Sequence, residues 1–289
     1  MTHNPPRPIG LAQLSLLNTA PPALVGIAAQ AGFDFVGVRV RPVTPTERPF
    51  DVQPGSPMLK ETLARMQDTG VTVRDIEFLL LDGSDQRDDW LRMMEAGQAL
   101  GASSITVAGG DPDSGRLLNT LWSMTEDGRD FGIIPTLEAI SYQPVASIAQ
   151  SADLAGRAGC NIVVDTLHFN RFVAAGGAGQ WDALRAHAAL VPLLQLCDGP
   201  RERPASRDAL ITESRAEREI PGEGEFGLAE VVAALPDGLP VSAEAPSDRR
   251  AAELGELGWA RRLKAGVDAV LARADALRDA KMPTRTGVQ

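Results

Sequence analysis

Short apolar runs rich in β-branched residues alternate with amphipathic stretches along most of the chain, and glycines and prolines punctuate the changeovers. Residues 9–17 form the first predicted strand. Pro21-Pro22 then opens a helix that stops at Gly32, as expected where proline fills a first turn and glycine ends a last one. Further strands are predicted at 33–40, 71–80, 103–107, 132–139, 161–165, 191–197 and 240–245. Helices are predicted at 58–69, 85–100, 114–127, 144–158, 181–189 and 248–278, with Gly70, Gly101 and Gly159 as stops. A loop carrying Pro42, Pro45, Pro49 and Pro54 follows the second strand and is long enough to lie over a site. Gly176-Gly177 breaks a loop after the sixth strand.

Strands that alternate with helices pair in parallel through right-handed crossovers. Eight such units without a shift in composition predict a single (β/α)8 TIM barrel, one domain over residues 1–289 with a core at about 8–275. The alternative, an open doubly wound sheet, lacks its Gly-x-Gly-x-x-Gly turn after the first strand.

Composition narrows the function classes. The formal charge of -10 repels phosphate backbones and anionic lipid, which argues against nucleic-acid and membrane partners while leaving room for a small-molecule substrate in a locally basic pocket. Cys160 and Cys197 fall at or inside predicted strands and read as buried thiols, not a disulfide framework. No apolar run approaches a membrane span, and residues 1–8 lack a signal-peptide pattern, so a cytoplasmic protein is expected, with homo-oligomerisation left open. His3 lies in a tail expected to lack structure, His187 is expected to be structural, and Met93-Met94 to pack a helix.

The chemistry gathers where polar residues end strands. Thr136-Leu137-Glu138, Asn161-Ile162-Val163-Val164-Asp165, Leu193-Leu194-Gln195 and Ser242-Ala243-Glu244 each bring a side-chain oxygen to the end of a consecutive strand. Period-two alternation puts Glu138 in line with Thr136 and Glu244 with Ser242, facing the barrel interior. Any one of these residues has a plainer reading: a loop anchor, a strand cap at Asp165, or a satisfied core amide at Gln195. Their joint occurrence does not, because carboxylates converging at one desolvated mouth repel unless a cation compensates them. Three carboxylates and an amide oxygen at Glu138, Asp165, Gln195 and Glu244 form a hard donor set suited to Mg²⁺ or Mn²⁺, with Co²⁺ and Zn²⁺ as further candidates. Arg39, at the end of the second strand, and Arg218 are candidates for clamping a substrate carboxylate or phosphate, whereas Arg41 and the run 213–219 are expected on the solvated surface.

These residues carry a family resemblance. Ala31-Gly32-Phe33-Asp34-Phe35-Val36-Gly37-Val38-Arg39, Thr136-Leu137-Glu138, Asp165-Thr166-Leu167-His168, Ala243-Glu244 and the Arg218-x-x-Pro221-Gly222-x-Gly224 stretch resemble the xylose isomerase-like TIM barrels, the sugar phosphate isomerase/epimerase group. The resemblance covers nearly all of residues 8–275. It implies a metal held at Glu138, Asp165 and Glu244, proton movement by the Glu138/Glu244 pair, and substrate oxygens met by His168 and Arg218. The family's strand-seven His is replaced by Gln195, a departure that resembles the 3-dehydroshikimate dehydratase branch.

The expected function is a metal-dependent isomerase or epimerase that removes a proton next to a carbonyl of a polyhydroxylated substrate, with a dehydratase as the alternative. Glu138 and Glu244 are the candidate bases, and His168 a candidate acid, base or hydroxyl-orienting group. An AP-endonuclease-like hydrolase is the remote alternative; its histidine-fed trinuclear zinc cluster sits poorly with three histidines and an acidic chain.

Overall fold

The computed structural model describes residues 7–281. Its strands are β1 (Ile9–Leu11), β2 (Phe35–Arg39), β3 (Thr72–Leu81), β4 (Ser104–Gly109), β5 (Ile134–Glu138), β6 (Asn161–Asp165), β7 (Leu194–Leu196) and β8 (Val241–Ala243). They pair in parallel in sequence order, and β8 closes on β1 through Ile9 with Val241 and Leu11 with Ala243. The helices are α1 (Pro21–Ala31), α2 (Pro57–Thr69), α3 (Arg87–Leu100), α4 (Ser114–Gly128), α5 (Ile148–Ala158), α6 (Thr166–Ala174), α7 (Gln180–Ala186), α8 (Arg207–Ala216), α9 (Leu228–Ala234) and α10 (Asp248–Lys281). The single (β/α)8 barrel expected from the alternation is the fold observed.

Local chemistry sets the element ends. Ser147 and Gln150 form a reciprocal capping box at the start of α5, and Ser56 caps α2. Gly32, Gly70, Gly101 and Gly159 end α1, α2, α3 and α5 in the left-handed conformation.

Apolar residues fill two places. The large core lies between the sheet and the helices, with Leu24, Ile76, Met94, Leu121, Leu154, Val231 and Trp259 among its buried members. Within the barrel, Phe35, Val163 and Leu193 form a separate small cluster, and Gly10 lets the Phe35 ring lie against β1, since a Cβ there would stand 2.1 Å from the ring. Beyond that plug the interior is polar: Asp75, Glu77, Thr106, Thr136, Gln195 and Ser242 are all buried.

Four sequence expectations are corrected. The predicted strand 9–17 ends at Leu11 and is followed by a 3-10 turn, Gln13–Leu16. The side chain of Gln13 takes over the bonding there, accepting from Arg39 N at 2.7 Å and donating to the Thr19 carbonyl at 3.0 Å. The expected loop after β6 begins as α6, because Asp165 itself caps a helix starting at the next residue. The charged run at 213–219 is surface only in part: Arg215 and Glu217 are exposed, whereas Glu213 and Arg218 are buried. The last predicted helix is α10, interrupted where Gly255 takes φ 69°. His3 lies outside the described residues. Among the described residues no helix is long and apolar enough to cross a membrane.

Candidate active site

Strands β5 to β8 deliver the four predicted oxygens to one end of the barrel. Glu138 is the last residue of β5 and Asp165 the last of β6; Gln195 is central in β7, and Glu244 follows β8 directly. All four are buried. Asp165 faces Gln195 across the β6–β7 ladder, and Gln195 Nε2 donates to Glu244 Oε1 at 2.8 Å. Asp165 Oδ1 caps α6 by accepting from Leu167 N at 2.6 Å, leaving Oδ2 to face the site.

Arg218 enters from the segment between α8 and α9. Its Nη1 donates to Asp165 Oδ2 at 2.6 Å, to Glu244 Oε2 at 3.1 Å and to the Glu244 carbonyl at 2.9 Å, while Nε donates to the Ser214 carbonyl at 2.8 Å. The guanidinium, a candidate substrate clamp from sequence, is therefore engaged as a counter-cation of the carboxylates. Its segment is fixed by Asp198, whose Oδ1 accepts from Phe226 N and whose Oδ2 accepts from Gly222 N, each at 2.9 Å. Gly224 permits the close approach, because a Cβ there would lie 2.5 Å from Asp198 Oδ1.

His168 sits in the first turn of α6. Its Nε2 lies 3.7 Å from Glu138 Oε1 and 3.5 Å from Ser214 Oγ, and its Nδ1 lies 3.3 Å from Ser141 Oγ. Tyr142 meets the ring edge-on at 5.4 Å and donates to Ser214 Oγ at 3.1 Å. Ser141, Tyr142 and Ser214 were missed in the sequence. Ser214 carries one weak signal, its position four residues before Arg218, where a helix would place both on one side.

Burial and charge split the carboxylates. Burial, aided by Asp165, pushes Glu138 up to about 8. Glu244 is also raised, by burial and against the attraction of Arg218. Burial would raise Asp165 as well, but Arg218 and then His168 override it and hold that carboxyl below its ordinary value. Burial brings His168 down to about 4, with Asp165 opposing, so the imidazole is neutral near pH 7.

The donor set fits a hard divalent cation on two observations. Glu138 and Asp165, together with His168 where Glu244 was expected, each offer a ligand atom within 4.8 Å of the others. Gln195 Oε1 is buried without a hydrogen-bond partner, an arrangement costly for a carbonyl oxygen unless something else takes its lone pairs. Arg218 alone offsets one of the three carboxylates.

A cavity of about 360 Å³ opens at these groups, lined by Glu138, His168, Gln195, Arg218 and Glu244 together with Arg39 and the loop after β2. Arg39 is buried at the tip of β2, with Nη1 3.1 Å from Glu47 Oε2. Arg41 pairs with Asp89 at 2.8 Å on the surface, as expected, and His187 ends α7 away from the cavity lining. Both cysteines are free and buried.

A sequence model of the family described as xylose isomerase-like TIM barrel matches residues 25–270. Among solved structures, an IolI protein with a bound zinc atom superposes with a TM-score of 0.75 at 14% identity, covering 92% of this chain and 99% of that one. An L-ribulose 3-epimerase gives 0.69 at 14% identity, covering 98% and 100%. The probable 3-DHS dehydratase AsbF from Bacillus anthracis gives 0.68 at 14% identity, covering 91% and 98%. At these identities the likeness is one of fold. No curated protein matches the chain.

Proposed function

The chain belongs to the xylose isomerase-like TIM barrel family, and on that premise we propose that it is a divalent-metal-dependent isomerase or epimerase of a small polyhydroxylated carbonyl compound. The observation that carries the proposal is the burial of Glu138, Asp165, Gln195 and Glu244 at the strand tips, with the Gln195 carbonyl left without a hydrogen-bond partner. These four residues would hold the cation, Mg²⁺ or Mn²⁺ before Co²⁺ or Zn²⁺. Bound there, the cation supplies Lewis-acid polarisation of the substrate carbonyl, which stabilises the enediolate left when the neighbouring carbon loses its proton.

The protein's own groups do the rest. Glu138 and Glu244 enter the cavity from β5 and β8, so a substrate between them presents its α-carbon to a carboxylate on either side. One takes the proton and the other returns it, to the adjacent carbon or to the opposite face. His168 is neutral near pH 7 and held by Ser141 and Ser214, which suits it to orient a substrate hydroxyl.

Dehydration is the second reading, favoured by Gln195 at the strand-seven position and by the fold shared with a probable 3-DHS dehydratase. There the same proton loss is followed by departure of a β-hydroxyl. Turnover of ketoses, keto-inositols and 3-dehydroshikimate in deuterated water with Mn²⁺ separates the two. Deuterium retained in an isomer indicates isomerisation, and a conjugated or aromatic product indicates dehydration. Glu244→Gln should lower either rate about 100-fold or more, and exchange that survives chelation would overturn the metal-dependent mechanism.

A further inference from the structure

The loop after β2 brings a carboxylate of its own to the cavity wall. Glu47 Oε2 accepts from Arg39 Nη1 at 3.1 Å and from Val43 N at 2.9 Å, and Oε1 accepts from Thr44 Oγ1 at 3.4 Å. Val43, Thr44, Thr46 and Glu47 all line the cavity, so one side chain ties this wall both to itself and to β2.

The other charges around the cavity give this contact its meaning. Of the guanidinium groups lining it, Arg218 is spent on Asp165 and Glu244, and Arg215 is exposed on α8. Arg39 is buried and lines the cavity, and its ion pairs are with Glu47 and Glu77, while its charge also reaches Glu138. Its Nε reaches no acceptor, the nearest carboxylate being Glu77 Oε2 at 3.8 Å. A guanidinium seats a carboxylate best through two parallel N–H bonds, and Glu47 uses Nη1 alone. The loop carboxylate thus occupies an anion position without filling it. An incoming carboxylate would exchange like for like, with no change in the net charge around Arg39.

We propose that Glu47 is an internal competitor for an anion subsite on Arg39: a substrate carboxylate takes its place, and the loop it ties loosens as it leaves. Glu47 is then a specificity-determining residue, and the substrate class is an acid. The inference rests on the function proposed above only for where the substrate reacts, so binding tests it without turnover.

The probes are shikimate and methyl shikimate, polyhydroxylated rings that differ in the carboxylate charge, titrated calorimetrically into the full chain with Mn²⁺. Shikimate should bind about tenfold or more tighter than the ester, and Glu47→Gln should tighten shikimate by a further factor of about ten while leaving the ester within about twofold. Glu47→Asp should fall between, and Arg39→Met should reduce shikimate to the level of the ester. Hydrogen exchange over residues 42–49 should quicken with shikimate and not with the ester. Unchanged melting temperatures show that the variants fold. An acid affinity that Glu47→Gln leaves unchanged or weakens overturns the proposal. So does an absence of shikimate binding to both wild type and Glu47→Gln at about 10 mM. Failure of the metal-dependent mechanism would show separately, as absence of deuterium exchange in a protein whose binding follows this pattern.

Discussion

His168 places an imidazole where a protonated ring would gain from Asp165 but lose more to burial, and its pKa falls to about 4. An unfolded chain protonates the same ring near 6.5. Below 6.5 the unfolded state therefore binds a proton that the folded state refuses, and stability is lost as pH falls toward 4. Glu138 works in the opposite sense. Its carboxyl, raised to about 8, keeps a proton the unfolded chain has released, so its contribution weakens the fold as pH rises from the ordinary carboxylate range toward 8. In metal-free protein the advantage of wild type over His168→Gln should shrink by about 3 kcal/mol between pH 6.5 and 4, measured by denaturant unfolding. A pH-independent difference would mean that the ring titrates alike in both states. Glu138, Asp165 and Glu244 are legible in the sequence because each stands at the end of an apolar run, and period-two alternation lines up Glu138 with Thr136 and Glu244 with Ser242; Gln195 is legible as the polar residue inside the run of β7. The engagement of Arg218 is not. Its partners lie 53 and 26 residues away along the chain, and no local period links them.

The loop between β7 and β8 depends on Asp198, whose carboxylate accepts from Gly199, Gly222 and Phe226 N–H groups at 2.9 Å each. A second tie backs it: Arg171 of α6 pairs in the interior with Glu213 of α8 and lies 4.9 Å over the Phe226 ring. Asp198→Ala would leave those buried donors without acceptors, at a cost of about 3 kcal/mol after relaxation, and lower the melting temperature by roughly 6–12 °C. Thermal unfolding of the two proteins at one pH checks it, and a shift below a degree would show that the loop is held elsewhere. These ties also explain which elements were hard to read. The run 213–219 reads as solvated surface because it is charged, yet within it Glu213 and Arg218 are each neutralised by a partner distant in sequence. α6 is masked in the sequence because no turn residue separates it from β6. The barrel itself survived such errors, since its strands and most of its helices carry their own stops and periodicities.

Across the whole molecule acidic side chains are in excess, giving -10 overall, and several of them lie buried. Asp75 and Glu77 lie buried on β3, both raised, chiefly by burial, and Gly37 makes room for them: a Cβ there would stand 2.3 Å from Glu77 Oε1. With Glu138, Asp165 and Glu244 nearby, a divalent cation should stabilise the fold as a whole. Mn²⁺ at 100 times its dissociation constant should add about 2.7 kcal/mol, raising the melting temperature by roughly 5–10 °C. The Glu138→Gln, Glu244→Gln double variant should show almost none of that rise, and an equal rise in both proteins would locate the cation elsewhere. One feature far from the site bears on how the chain builds it. Arg7, before β1, lies 3.6 Å from Asp237, and Arg278, late in α10, lies 3.1 Å from the same carboxylate. The path around the barrel therefore returns to its starting point, with β8 laddered to β1 as its neighbours are to each other. In topological terms the fold is a ring cut once, and the cut falls at the end opposite the strand tips. A circular permutation that joined residue 7 to residue 278 and reopened the ring at another helix-to-strand turn would keep the same eight neighbours and the same four oxygens. The active site is a property of cyclic order, and linear order enters only in saying where the ring was opened.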